Sequence, residues 1–367
     1  MRSGAVSLAA GAAVVAGALA LAGSALAGAP VLALEAGISA IAADGDRVAV
    51  TVRSTRTACD GILVWTPTTG RTRRVDASTN CPGSDSLREQ VREVALAGRR
   101  VAWIEETNGN LQSLTLRVRR LDRGATLALS LAENHNGAEG LPDGRYVGYL
   151  ESDGDVLAYN TWSVCTLVPA GYEWDGPSCD ARGGDQPTEV VSSERLWLLG
   201  ARRRLLGAGP ASFALAALDA GRVLTVRRGE LSVFGPDGAE LGTIGLERGR
   251  VEGAGLWSGF VVVLRASRLE EYSIATGELV KTLPAPPGSR LADVDGGLAA
   301  LVSRSEVTVL RLTDGASRTF RIRGARAAGA DLEPAGLFHA WSLAPGGRVL
   351  FVPRAELLQA APRPQSP

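Results

Sequence analysis

Carboxylates make up most of what this chain offers for chemistry. Of its two histidines, His135 lies in the polar run Glu133-Asn134-His135-Asn136, where it could act as a ligand or a base. His339 alternates with Phe338, Ala340 and Trp341, the pattern of a strand residue turned into a core. Glu151, Asp153 and Asp155 cluster around Gly154 but lack the 12-residue calcium-loop pattern with its terminal glutamate, and an Asp-Gly turn requires no metal. The chain has no Gly-x-Ser-x-Gly elbow, no His-Glu-x-x-His zinc helix and no phosphate loop ending in Gly-Lys-Ser/Thr. Gly253-Ala254-Gly255-Leu256-Trp257-Ser258-Gly259 has the wrong spacing for a dinucleotide loop and leads into an apolar run. Paired acids for glycoside chemistry stay open, because folding can bring distant carboxylates together.

Binding chemistry is better represented. Trp162, Tyr172-Glu173-Trp174-Asp175 and the run from Cys179 and Asp180 through Arg182 to Asp185 set aromatic rings beside carboxylates and an arginine. Flat apolar contact with polar orientation suits a sugar, a peptide or a protein surface. The candidate contact residues are Trp162, Tyr172, Trp174, Asp175, Asp180, Arg182 and His135. The same aromatics could instead fill a small core beneath a disulfide-closed loop. Cys59, Cys81, Cys165 and Cys179 allow three pairings, of which Cys59 with Cys81 and Cys165 with Cys179 closes the shortest loops. No pair is spaced Cys-x-x-Cys, which disfavours zinc and thioredoxin-like chemistry.

The elements that position these residues are repeats. Gly221, Gly259 and Gly297 recur every 38 residues, Gly336 follows 39 later, and each opens a β-rich run. In the clearest unit, four short β-rich runs between Val251 and Leu283 are separated by turn residues such as Thr276-Gly277. A period near 40 with four strands per unit indicates an all-β, seven-bladed β-propeller of four-stranded antiparallel blades. Aligned first turns at Gly45, Gly98, Gly154, Gly221, Gly259, Gly297 and Gly336 supply the count. The first intervals, 53, 56 and 67 residues, are long, so blades one to three are expected to carry loop insertions. These fall near Asn80 to Val91, Glu105 to Gln112, Ala132 to Gly144 and Ser163 to Glu194. All map, with the four cysteines, to the face formed by second-to-third-strand loops and inter-blade connections.

The last blade lacks a fourth strand, and Val31 to Glu35 is expected to supply it and close the ring. Arg2, the alanine-rich run Ala5 to Ala22 and Ala25-Leu26-Ala27 read as a secretory signal over residues 1–27, or else as an uncleaved anchor. Residues 28–358 then form the propeller and 359–367 a disordered Pro-rich tail. Formal net charge is zero at pH 7, and the 38 arginines beside the one lysine, Lys281, are dispersed among acids. That pattern excludes the basic stripe of a nucleic-acid binder.

Around Tyr272-Ser273-Ile274-Ala275-Thr276-Gly277, and more weakly at Trp65 to Gly70, the chain resembles quinoprotein-like and WD40-like propeller repeats. Family aspartate and tryptophan positions are held by Ser273 and Lys281 in blade five, and by Thr66 and Arg74 in blade one. The resemblance implies architecture over Ile38 to about Leu358, without the tryptophan docking ring that accompanies a quinone or the WD40 Trp-Asp pair. No cofactor is expected. The reading is an exported, non-catalytic, monomeric propeller that binds a protein, peptide or envelope glycan through the insertion-rich face of blades one to three. The alternative is a polysaccharide hydrolase or lyase, or a diverged quinoprotein-like oxidoreductase. Membrane attachment is expected only if the signal stays uncleaved.

Overall fold

A computed structural model of the chain describes residues 29–53, 60–77, 88–108, 112–122, 124–134, 145–173, 178–179, 185–209, 214–227, 229–246, 250–343 and 346–358. These form seven four-stranded antiparallel sheets. The first strand of each blade contacts the first strands of both neighbouring blades, so seven strands ring an axis. They are Ile38–Asp44, Arg88–Ala97, Arg145–Asp153, Ala214–Asp219, Ala254–Trp257, Arg290–Asp295 and Arg326–Glu333. All seven repeat glycines have positive φ, from +50° at Gly154 to +157° at Gly336, which explains their recurrence at the tight first turn.

Second strands read as unbroken apolar runs because blades cover both of their faces. Val261 to Leu264 and Leu298 to Val302 are buried throughout. The outermost strands meet solvent instead, as in Leu279–Pro284, where Leu279 and Val280 are exposed. Each of the seven apolar clusters spans a junction between consecutive blades. Ile62 and Val64 of blade one pack with Leu96 and Trp103 of blade two, and Leu298 and Val309 of blade six with Leu337 and Trp341 of blade seven. The core therefore lies between sheets, as in stacked β-layers.

Ring closure follows the expectation. Val31–Leu34 pairs antiparallel with Gly347 to Leu350, and Leu32 is buried there. Lys281, in the outermost strand of blade five, reaches blade six and donates to the carbonyls of Leu312 (2.7 Å) and Thr313.

The insertions differ from the expectation of loops. Blade two has strands of 10, 9, 9 and 9 residues, and the second and third strands of blade three, Val156–Leu167 and Thr188–Leu199, have 12 each. Glu105 to Asn108 and Ser163 to Leu167, expected in loops, are strand. Both hairpins lengthen by pairing, which satisfies backbone groups that a long loop would leave to water. The disulfide Cys165–Cys179 therefore joins a strand residue to the returning loop, beside a bridge between Thr166 and Ser178. Cys59 and Cys81 lie outside the described residues, as do residues 1–28 and 359–367. No helix among the described residues is long and apolar enough to cross a membrane.

Candidate functional site

The channel inside the ring differs at its two ends. At the end formed by first turns, the innermost strand closes on an acid in five blades: Asp44, Asp153, Asp219, Asp295 and Glu333. Arginines neutralise several of them, through Arg47–Asp44 (2.6 Å), Arg222–Asp219 and Arg354–Asp295. The other half of the channel holds a cavity of about 400 Å³ to which every innermost strand contributes. Its lining takes in the middle of the innermost strands and stops short of the strand-end acids, coming within one residue of them at Ser152, Leu218 and Val294.

Side-chain size makes this space. Two residues before the strand end, four blades carry Ala42, Ala95, Ala217 and Gly255, whereas blades three, six and seven carry Glu151, Asp293 and Asp331. Ala42, Ala217 and Gly255 line the cavity, and the acids face a volume that these small residues leave open. Most are also structural. An innermost strand has one edge without a partner strand, and its N–H groups need acceptors. Leu150 N–H donates to Glu93 (2.7 Å), Leu332 N–H to Asp293 (2.7 Å), Ala43 N–H to Asp331 (2.6 Å) and Gly45 N–H to Glu333 (2.9 Å). In each pair the carboxylate belongs to one blade and the amide to the next. Glu151 makes no such bond and has no hydrogen-bond partner among the described residues.

Burial, with mutual repulsion among them, raises the pKa of these carboxyls. Glu151 is pushed up to about 8, first by burial and then by the charges of Asp293 and Glu93. Asp293 and Asp331 share a hydrogen bond; burial raises both, Asp293 to about 6, while Asp331 is raised well above the ordinary value and keeps the proton. Burial also raises Glu93, with the Leu150 N–H opposing it.

Beside Glu151, Tyr149 has φ +54°, an unusual left-handed conformation for a non-glycine residue, within an irregularity of the strand register between Gly148 and Glu151. Its ring is 45% exposed. Trp162, on the neighbouring strand, stacks on Tyr146 (5.4 Å between centroids) and meets Tyr149 at 5.5 Å. Gly148 makes room for it, since a Cβ there would come within 3.0 Å of the indole. Arg290, nearer the connection face, donates to Ala328 O at 3.5 Å and has no carboxylate partner among the described residues. A crevice of about 340 Å³ between blades one and two shares Ser39 with the cavity.

Of the residues singled out from sequence, Trp162 therefore stands next to the cavity, through Tyr149. Tyr172 is exposed, at 54%, beyond the end of Val156–Leu167. His135, Trp174, Asp175, Asp180 and Arg182 lie outside the described residues. His339 is fully buried, its Nδ1 accepts from Trp341 Nε1 (2.6 Å), and burial lowers its pKa to about 3. Sequence reasoning noticed Glu151 only as part of a turn cluster and missed Glu93, Asp293, Asp331, Tyr149 and Arg290. Acids two residues before the ends of the innermost strands of blades three, six and seven were the available signal. Among the described residues no three or more His, Cys, Asp or Glu side chains are arranged to hold a metal ion.

No protein-family model matches the chain, and no curated protein matches its sequence. Among solved structures it is similar to a chain of a mitotic checkpoint complex, with 12% identity and a TM-score of 0.53 over 88% of this chain and 90% of that one. It is also similar to Saccharomyces cerevisiae Sqt1, with 10% identity and a TM-score of 0.49 over 87% and 97% of the two chains. A chain of a nidogen/laminin complex follows, with 12% identity and a TM-score of 0.39 over 69% and 81%. The first likeness agrees with the seven-bladed propeller and concerns the fold alone.

Proposed function

We propose that the protein is an exported binding propeller that takes a protein, peptide or envelope glycan at the mouth of its axial cavity, on the face raised by blades one to three. The observation that carries this reading is the 400 Å³ cavity with the exposed Tyr149 ring at its wall and Trp162 stacked behind it. Ligand sites are concave and combine an aromatic surface with a few convergent polar groups. The Cys165–Cys179 disulfide supports export, because such bonds persist in oxidising compartments. Tyr149→Gly removes the ring while suiting the left-handed backbone. Capture of a partner from the producing cell's envelope fraction by the parent protein, lost in this variant with its melting temperature retained, is the expected result. Equal capture by both would refute the site.

A second reading has one observation behind it: Glu151, protonated near neutral pH, stands in the field of Asp293, which titrates lower. Two carboxyls with separated pKa values are what a glycosidase uses as acid and base. A polysaccharide hydrolysis screen of the parent and Glu151→Gln tests it, and turnover equal in both would dismiss it.

A further inference from the structure

Charge in the axial cavity is arranged in depth. Arg290 opens its innermost strand on the connection side, and Arg92 stands in mid-strand beside Glu93; Arg92 is paired with Glu106 (3.4 Å), whereas Arg290 has no carboxylate partner among the described residues. Deeper lie Glu93, Glu151, Asp293 and Asp331, contributed by blades two, three, six and seven. Blades one, four and five add no titratable group to the lining, only Ser39 and apolar residues such as Ala42, Ala217 and Leu256. Tyr149, with Glu194 behind it, completes the set of titratable groups facing Glu151.

Glu93, Asp293 and Asp331 already bond the next blade's backbone, so their placement has a structural reason. Glu151 does not; protein surrounds it except where it meets the cavity, and nothing bonds its oxygens. A carboxyl so placed is stabilised by whatever cation enters. Glu151 and Asp293 each stand two residues before the end of their innermost strands, and Arg290 lies three residues before Asp293 with a register irregularity between them, so Arg290 is about 7–10 Å along the channel from the level of Glu151 at strand rise. An extended lysine-type residue spans about 7 Å from carboxylate to terminal ammonium, given bonds near 1.5 Å. Its alkyl chain would run along the apolar wall and past the Tyr149 ring.

We infer that the axial cavity receives an alkylammonium group at Glu151, with the carboxylate of the same residue held outward at Arg290, as a peptide ending in a lysine-type residue presents them. This deepens the binding reading and rests on it. The raised titration of Glu151 adds a corollary: affinity rises from pH 6 to pH 8, as the carboxyl becomes easier to ionise, and binding below pH 8 releases protons.

The test is calorimetric titration of the purified protein with Nα-acetyl-lysine, Nα-acetyl-lysinamide and Nα-acetyl-norleucine, at pH 6 and 8 and in two buffers of different ionisation enthalpy. The first probe is expected to saturate the protein with proton release. Norleucine on the parent, and the lysine probe on Glu151→Gln, should each bind about tenfold more weakly, the effect of losing a charge-assisted hydrogen bond. Arg290→Gln should weaken the acid probe and leave the amide unchanged. Equal binding of lysine and norleucine, undiminished binding by Glu151→Gln, or no binding of the lysine probe overturns the inference. Failure here with partner capture still dependent on Tyr149 leaves the binding site standing. Lysine binding with capture independent of Tyr149 would instead separate the subsite from the proposed mouth.

Discussion

Replacing Glu151 by glutamine should make the protein more stable, by an amount set by pH. The carboxyl titrates near 8 in the fold against an ordinary 4.5, so between those values the folded chain holds a proton that the unfolded chain has lost. Stability therefore falls as pH rises through that window, and the contribution is intact only below about pH 4.5. A shift of about 3.5 units corresponds to about 5 kcal/mol when fully expressed, of which about 4 kcal/mol is present at pH 8. Contact with cavity water screens part of this, leaving about 2–4 kcal/mol. Glutamine copies the shape of the protonated acid and cannot ionise. Unfolding free energies of parent and variant, from urea titrations every half unit, should coincide near pH 4.5 and diverge to about 2–4 kcal/mol at pH 8 in favour of the variant. At about 2 cal/mol/K per residue of unfolding entropy, that is a rise of about 3–6 °C in Tm. Parallel curves across the whole range would mean that Glu151 is ionised in the native protein, and would remove the premise of an unpaired carboxyl in the channel.

Two further outcomes follow from the ring itself. Lys281→Met keeps the alkyl stem but removes the two bonds to the carbonyls of blade six, and should cost about 1–3 kcal/mol in urea unfolding; a change below about 0.3 kcal/mol would show that the tie contributes nothing. Removing residues 29–34 strips the partner from Gly347–Pro353 and exposes the pocket of Leu32, and should lower stability by about 2 kcal/mol or more while promoting self-association through the bared edge. Light scattering and thermal melts check this, and a truncated protein that melts and sediments like the parent would show that the ring closes without it.

The fold was legible because its turns are chemically obligatory. Gly259 and Gly297 need positive φ, so the period survives even where the strands between them diverge. Second strands were equally visible, since burial between blades on both sides demands an uninterrupted apolar run such as Val261 to Leu264. Blade three was misread at its second hairpin because Ser163 to Leu167 mixes polar and apolar residues without clean alternation; what commits it to strand is the ladder from Ser163 to Leu167 against Thr188 to Ser193. The site was illegible for a different reason. Glu93, Glu151, Asp293 and Asp331 are separated by whole blades, and only closure of the ring makes them neighbours. The sequence does show acids ending five innermost strands, but these are turn-end residues such as Asp44, which pairs with Arg47, and none of them lines the cavity. Trp162 was recognised for its aromatic character, yet its relevance comes from Gly148 and Tyr149, whose close approach no spacing rule reveals.

The distinction that matters is between acids that bind the ring together and the one that does not. Glu93, Asp293 and Asp331 are desolvated and mutually repelling, yet each satisfies an edge amide of the next blade that has no strand to pair with. Replacing any of them leaves an orphaned N–H facing the channel, so stability should fall even though a repulsive charge is removed. Glu151 occupies the position of Asp293 and Asp331 in blade three but bonds no edge amide; the bond from blade three to blade four is made by Asp153, which accepts from Ala220 N–H. An alanine or glycine stands at the same position in four other blades, so the ring does not require an acid there. Under the proposed binding role, a carboxyl that costs the fold stability above pH 4.5 and has no partner within it serves a ligand, and the stability and binding of Glu151→Gln should then move in opposite directions.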